Sequence, residues 1–195
     1  MKTALLLALC ALAASPARAK TASPFELLLL EGGDLRAGRR LLKEKDRLAY
    51  GVRLKLSAGR AVIGLGSAGK LMLRGPAEFT PQEDSVNLRS GALLGVLPFL
   101  KGKFSVRTPN VTAAVRGTDF FIEARKHDES YVCLCSGALD LTSEGDERFR
   151  LKLQGSRHDA ALLLRGSSRL SQAPAAMAGH TDAEIEELKA PPRIP

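Results

Sequence analysis

Between Gly102 and Gly137 the chain alternates apolar and polar residues in short runs broken by Gly or Pro, and that rhythm suits little besides paired strands. Phe104, Val106 and Thr108 alternate with Ser105 and Arg107 until Pro109 stops the run, the period of a half-buried strand. Asn110 prolongs the break. Val111, Ala113 and Val115 then alternate with Thr112, Ala114 and Arg116 up to Gly117, predicting a second strand. Phe120 and Ile122 repeat the pattern, as do Tyr131 to Cys135 beyond the charged loop Lys126-His127-Asp128-Glu129. Short strands with turns spaced about eight to twelve residues apart predict an antiparallel all-β module.

The rest of the chain reads the same way. Phe25 to Leu30, bounded by Gly32-Gly33, predicts a first strand or a short helix, which periodicity alone does not separate. Tyr50 to Leu56 alternates as a strand, and so does Phe149 to Leu153, while Lys70 to Pro76 reads as another strand and Ala160 to Leu164 as the last. Gly64-x-Gly66-x-x-Gly69 has the dinucleotide-binding spacing. That fingerprint needs a helix opening at its last glycine, whereas a strand is predicted there, so these glycines are expected in turns. Ser167 to Ala178, rich in Ser, Ala, Gln and Pro, is expected to be an extended linker. Thr181-Asp182-Ala183-Glu184 has capping-box spacing and, with Ile185 and Leu188, predicts a short helix ended by Pro191-Pro192. The fold class expected is an antiparallel β-sandwich or β-roll of many short strands with a short C-terminal helix. With 45% hydrophobic residues but no Trp, two Tyr and seven Phe, the core must be aliphatic, which disfavours an aromatic-lined ligand pocket.

Met1-Lys2, the apolar run Ala4 to Ala14 and the Ala17-Arg18-Ala19 site have the form of a Sec-type signal peptide over residues 1–19. The run is too short to span a bilayer. Cys10 follows Leu9 inside that run, where a lipoprotein signal would require a small residue. The organisation expected is therefore a signal peptide at 1–19, a β-domain at 20–155, and a strand, linker and helix at 156–195. The product should be periplasmic and should not span the membrane after signal cleavage. Losing Lys2 and Arg18 with no acid lowers the formal charge from +8 to +6. The basic excess favours an envelope protein or an anionic envelope component as partner. Only Arg36 to Arg47 clusters its cations, so nucleic acid is not an expected partner.

Ser90-Gly91-Ala92-Leu93, Phe104-x-Val106-x-Thr108-Pro109, Val115-x-Gly117-Thr118-x-Phe120 and Ser136-Gly137-Ala138-Leu139 together resemble the FecR domain family. The resemblance is close over residues 85–142 and looser back to Gly51. It implies a largely β, periplasmic module. Sensor-type members carry a cytoplasmic segment that contacts a sigma factor, then a membrane helix, ahead of this domain. Here a leader stands in their place, so a stand-alone binding or sensing module is expected, non-catalytic and with its ligand open.

Chemistry concentrates on Cys133 and Cys135, which a strand would point to one face. Three readings compete: a strained, redox-labile disulfide, a pair of metal ligands, or two small buried apolar side chains. His158 and His180 would complete a Cys₂His₂ set suited to zinc or, with Met177, to copper. The set resembles that of exported FecR-like proteins having a Cys-x-Cys strand, a later His-His-Asp and a terminal His-Thr-Asp. This chain carries Arg157-His158-Asp159, one candidate ligand fewer. A metal-handling or thiol-redox protein working through Cys133, Cys135, His158 and His180 is thus the alternative to a module of unspecified ligand. His127 sits in a charged loop, where a solvated imidazole is expected. Asn110-Val111-Thr112 is a glycosylation sequon and is assigned no role. No catalytic residues are assigned, because no Gly-x-Ser-x-Gly occurs, Ser156, His158 and Asp159 crowd together, and Asp119 and Glu123 occupy ordinary strand positions. Export is tested by amino-terminal sequencing of periplasmic protein: the mature chain should begin at Lys20, and an intact leader in the membrane pellet would refute the assignment.

Overall fold

The computed structural model describes residues 23–100, 102–126, 128–155, 158–165 and 169–191. Residues 1–19, where a signal peptide is expected, and His127 lie outside them. The chain opens with β1 (Phe25–Glu31), β2 (Leu35–Ala37), β3 (Arg40–Leu41), β4 (Leu54–Leu56) and β5 (Arg60–Leu65). Long strands follow: β6 (Lys70–Pro81), β7 (Ser85–Leu97), β9 (Thr112–Lys126) and β10 (Glu129–Ser143), with the short β8 (Phe104–Arg107) between. Then come β11 (Asp146–Gly155), β12 (Asp159–Arg165), β13 (Leu170–Ala175) and one helix, α1 (Asp182–Lys189). All thirteen strands belong to one sheet. The fold is all-β as expected, and Phe25–Glu31 resolves as strand.

The sheet doubles over because its four long strands bend and change partners at the bend. β6 pairs with β5 through Lys70–Gly64 to Arg74–Arg60 and with β4 from Ala77 onward. β9 lies beside β8 over 112–115 and beside β7 over 118–124. β10 keeps β9 on one side and exchanges β12 for β11 on the other. Strands that turn a corner in this way join two layers of one sheet. Of the two architectures expected, the roll is the one formed. Its pairings are antiparallel except for β7 against β8, where Ser85, Val86 and Asn87 run parallel to Ser105, Val106 and Arg107.

Side-chain phase records the corners. On β9, Ala113 and Val115 face the main core, but beyond the bend Phe120, Ile122 and Ala124 do so. On β10, Val132 and Leu134 give way to Leu139 and Leu141, again a switch of parity. Pure alternation would have put one half of each strand inside out. The phase inverts at Gly117 (φ 57°) and Gly137 (φ 99°), bulge positions that L side chains rarely adopt. The two bulges also touch: a Cβ on Gly137 would meet the Gly117 carbonyl oxygen at 2.5 Å. Thr118 completes the joint, its hydroxyl donating to Ala138 O at 2.9 Å and accepting from the Arg116 amide at 3.2 Å. The Arg-Gly-Thr stretch, expected to separate two strands, is thus the hinge inside one.

Other differences are local. Leu170–Ala175, within the expected linker, pairs with β12 as the outermost strand. Only one of its edges is bonded, so Pro174 is tolerated there. Gly64 to Gly69 closes a 3₁₀ turn into β6, not into a helix. Asn110 of the sequon is buried and donates from Nδ2 to Leu163 O (3.1 Å) and Asp128 O (3.2 Å), so it braces the β8–β9 turn. Outside the main core a second apolar cluster covers the opposite face of one layer: Val62, Met72, Leu94, Val96, Phe121, Tyr131, Cys133 and Cys135, closed over by Ile185 and Leu188 of α1.

Val115 lies on the core side of β9 at 1% exposure, against Phe104 of β8 in register. Val115→Asp would bury an unpaired charge there and should cost several kcal/mol, on the order of the whole stability margin. A melting temperature equal to wild type would show the strand face to be inverted.

Candidate metal centre

β10 presents Tyr131, Cys133 and Cys135 on one face because strand side chains repeat every second residue, and that face is the one beneath the C-terminal segment. Both cysteines are buried free thiols. After β13 the chain turns back across this face. The Tyr131 hydroxyl fastens it, donating to Ala176 O and accepting from the Ala178 amide, both at 2.9 Å. Gly179 (φ 81°) passes so close to Phe121 that an added Cβ would meet the ring at 2.7 Å. His180 follows, buried, its imidazole stacked on Phe121 with centroids 4.7 Å apart and planes at 17°.

Four donor atoms therefore converge. His180 Nε2 lies 3.2 Å from Cys135 Sγ, and His158 Nδ1 lies 3.8 Å from Cys133 Sγ. One donor atom from each of Cys133, Cys135, His158 and His180 falls within 4.8 Å of all the others. A tetrahedral zinc with bonds of about 2.0–2.3 Å has donor-to-donor edges of about 3.3–3.8 Å. The set is thus within a small contraction of that shape. Each imidazole's other nitrogen is held in turn: His158 Nε2 by Asp182 Oδ1 at 2.8 Å and His180 Nδ1 by Ala178 O at 3.0 Å. Such outer partners fix ring orientation and tautomer at metal sites. His158 sits at φ 41°, an uncommon backbone for a residue with a side chain, which turns its ring toward the thiols at the entry to β12.

The donor groups share protons among themselves, and a cation bound there would displace those protons. Hydrogen bonding from Cys135, with further help from the two imidazoles, holds the Cys133 thiol at about 4 despite its burial. Cys135 is pushed the other way, because it keeps the shared proton beside Cys133 and is itself buried. Burial pulls the His158 imidazole down, but its contacts with Cys133 and Asp182 outweigh that and leave it above the ordinary histidine value. Met177, the extra ligand considered for copper, is 38% exposed.

Three contributors were not singled out from sequence. Asp182 shows there in the terminal His-Thr-Asp and in the capping box, with no role of its own; the box does form, Thr181 Oγ1 accepting from the Glu184 amide and Glu184 Oε2 from the Thr181 amide at 2.9 Å. Phe121 and Tyr131 read as core aromatics. Their alternation with Phe120 and Val132 does place them on the cysteine face, the one signal available. Of the carboxylates weighed for catalysis, Asp119 pairs with Lys189 at 3.1 Å and Glu123 with Arg125 at 2.7 Å.

Residues 51–140 match the family model described as FecR protein. Both thiols lie inside the matched span, while both imidazoles lie beyond its end. No curated protein matches the chain in sequence. A crystal structure of a candidate anti-sigma factor from Parabacteroides distasonis ATCC 8503 is 12% identical, with a TM-score of 0.52 over 63% of this chain and 59% of its own. A second candidate anti-sigma factor from that organism, also 12% identical, overlaps 65% of this chain and 57% of its own at a TM-score of 0.44. The chain thus spans about three fifths of the length of the first of these, and what they share at that identity is the fold. Among the described residues no helix is long and apolar enough to cross a membrane.

Gly179→Ala should cost at least about 1–2 kcal/mol, from its left-handed backbone and from the contact with Phe121. Gly38→Ala has a similar φ of 60° but open space around it, and isolates the backbone contribution. Thermal melts should show the larger loss for Gly179→Ala, and equal losses would remove the steric part of this account.

Proposed function

We propose that this FecR-domain protein is an exported, non-catalytic module that binds a thiophilic divalent cation, zinc in particular, through Cys133, Cys135, His158 and His180. One observation carries the reading: donors from β10, from the entry to β12 and from the segment before α1 meet within 4.8 Å. Two thiolates and two imidazoles suit a tetrahedral ion of intermediate softness. Four protein ligands would leave no open position for substrate or water, which favours binding or sensing over catalysis. Zinc is preferred to copper because two cysteines and two histidines form a common closed tetrahedral zinc set, while Met177 is exposed. The signal-like residues 1–19 support export, and in the periplasm the ligand would be an envelope metal pool. Interaction with an envelope signalling protein is consistent with the FecR domain.

The test is a chelator-competition titration of the reduced mature chain. One zinc per chain is expected, and Cys135→Ser and His180→Ala should each weaken binding sharply. Asp182→Asn, acting only through His158, should weaken it about 10–100-fold. Zinc binding indifferent to all three substitutions would overturn the site. Purification with the thiols joined as a disulfide and no affinity for zinc would replace it with the thiol-redox reading.

A further inference from the structure

The fastening of α1 is lopsided. The helix has eight residues, too few to be stable on its own in water. Its apolar hold on the sheet is two side chains, Ile185 and Leu188, over Val62, Met72, Leu94 and Val96. Its ion pairs, Arg60–Glu187, Arg74–Glu184 and Lys189–Asp119, involve partly exposed partners and so contribute little each. Between Ala175, the last residue of β13, and His180 the chain has no regular structure and is tied to the sheet by Tyr131, which bonds Ala176 and Ala178, and by Arg74, which donates to the Gly179 carbonyl. The metal donors straddle this joint. Cys133 and Cys135 stand on the sheet, His180 immediately precedes the helix cap, and Asp182 in the first helical turn holds His158.

We propose that metal occupancy controls whether residues 176–191 are latched onto the sheet. This rests on the zinc reading of the four donors and adds what the site regulates. With the ion bound, releasing the helix would break the His180 bond and strip His158 of Asp182. With no ion bound, release costs the helix contacts, the Tyr131 bonds to Ala176 and Ala178, the Phe121 stack and the hydrogen bonds of the two imidazoles, but no metal bond. A ligand shifts such an equilibrium by the ratio of its affinities for the two states. The open state keeps at most three ligands and lacks an outer-shell partner. Loss of such a partner alone lowers affinity about 10–100-fold, so zinc should make opening at least about tenfold rarer. Opening also uncovers Val62, Met72, Leu94 and Val96, so the ion governs whether this apolar face is covered.

Hydrogen exchange of the reduced mature chain, with and without one equivalent of zinc, tests this, the zinc load being measured on the same samples. Amides of Ile185 to Ala190 should exchange at least about tenfold more slowly when zinc is bound. Those of β5 should be unaffected. Trypsin cleavage after Lys189 should slow in parallel, because cleavage of a rapidly opening segment follows its open population. In the double variant His180→Ala/Asp182→Asn, which cuts both links between the ion and the helix, whatever zinc still binds should leave helix exchange unchanged. Zinc bound at full stoichiometry with no change in α1 exchange overturns the latch and leaves the metal site standing. No zinc bound overturns both.

Discussion

The fold and the candidate site both depend on where strand phase is inverted. A period of two is rigid: once Tyr131, Cys133 and Cys135 face outward, Val132 and Leu134 must face the main core. Kept for the full length of β10, that phase would carry Leu139 and Leu141 out of the core at the corner. The bulge at Gly137, nested against Gly117 on the neighbouring strand, resets it. A long strand can then serve two layers with its apolar residues always inward, and the outward face of one layer is left free to carry two thiols. Substituting Gly137 disturbs both bulges at once, because a side chain there would meet the backbone of Gly117 and Thr118.

What the outward face does follows from how it is covered. β13 pairs on β12 and leaves the chain at the sheet's rim, and Tyr131 then bonds Ala176 and Ala178 to turn it inward. Phe121 receives both Gly179 and the His180 ring, so one aromatic sets the height and the angle at which the imidazole meets Cys135. Pre-set ring geometry of this kind lowers the ordering cost of binding an ion. The same contacts place two of the four donors outside the span that matches FecR, which makes the C-terminal segment integral to the chemistry.

The sequence was legible where local rules decide. Alternation at Phe104–Val106 and at Val111–Val115 found the core face, the capping box found α1, and Cys-x-Cys on a strand put the two thiols on one face. It was illegible where distant partners decide. Gly117 looks like the end of a strand because alternation breaks there, yet β7 and β10 pair on both sides of it and keep the strand going. Ser171 to Ala175 lack strand-like composition, and their pairing is imposed by the unpaired edge of β12. Asp182 satisfies a helix-start pattern by itself, and its bond to His158, 24 residues earlier, depends on the whole path of the tail.

The central claim is that two thiols of a FecR-domain strand and two imidazoles from later in the chain share one ion. X-ray absorption at the zinc edge on the metal-loaded mature protein addresses it most directly. The account predicts two sulfur neighbours at about 2.3 Å and two imidazole nitrogens at about 2.0–2.1 Å. A shell of oxygen and nitrogen without sulfur, or of four sulfurs drawn from two chains, would contradict it.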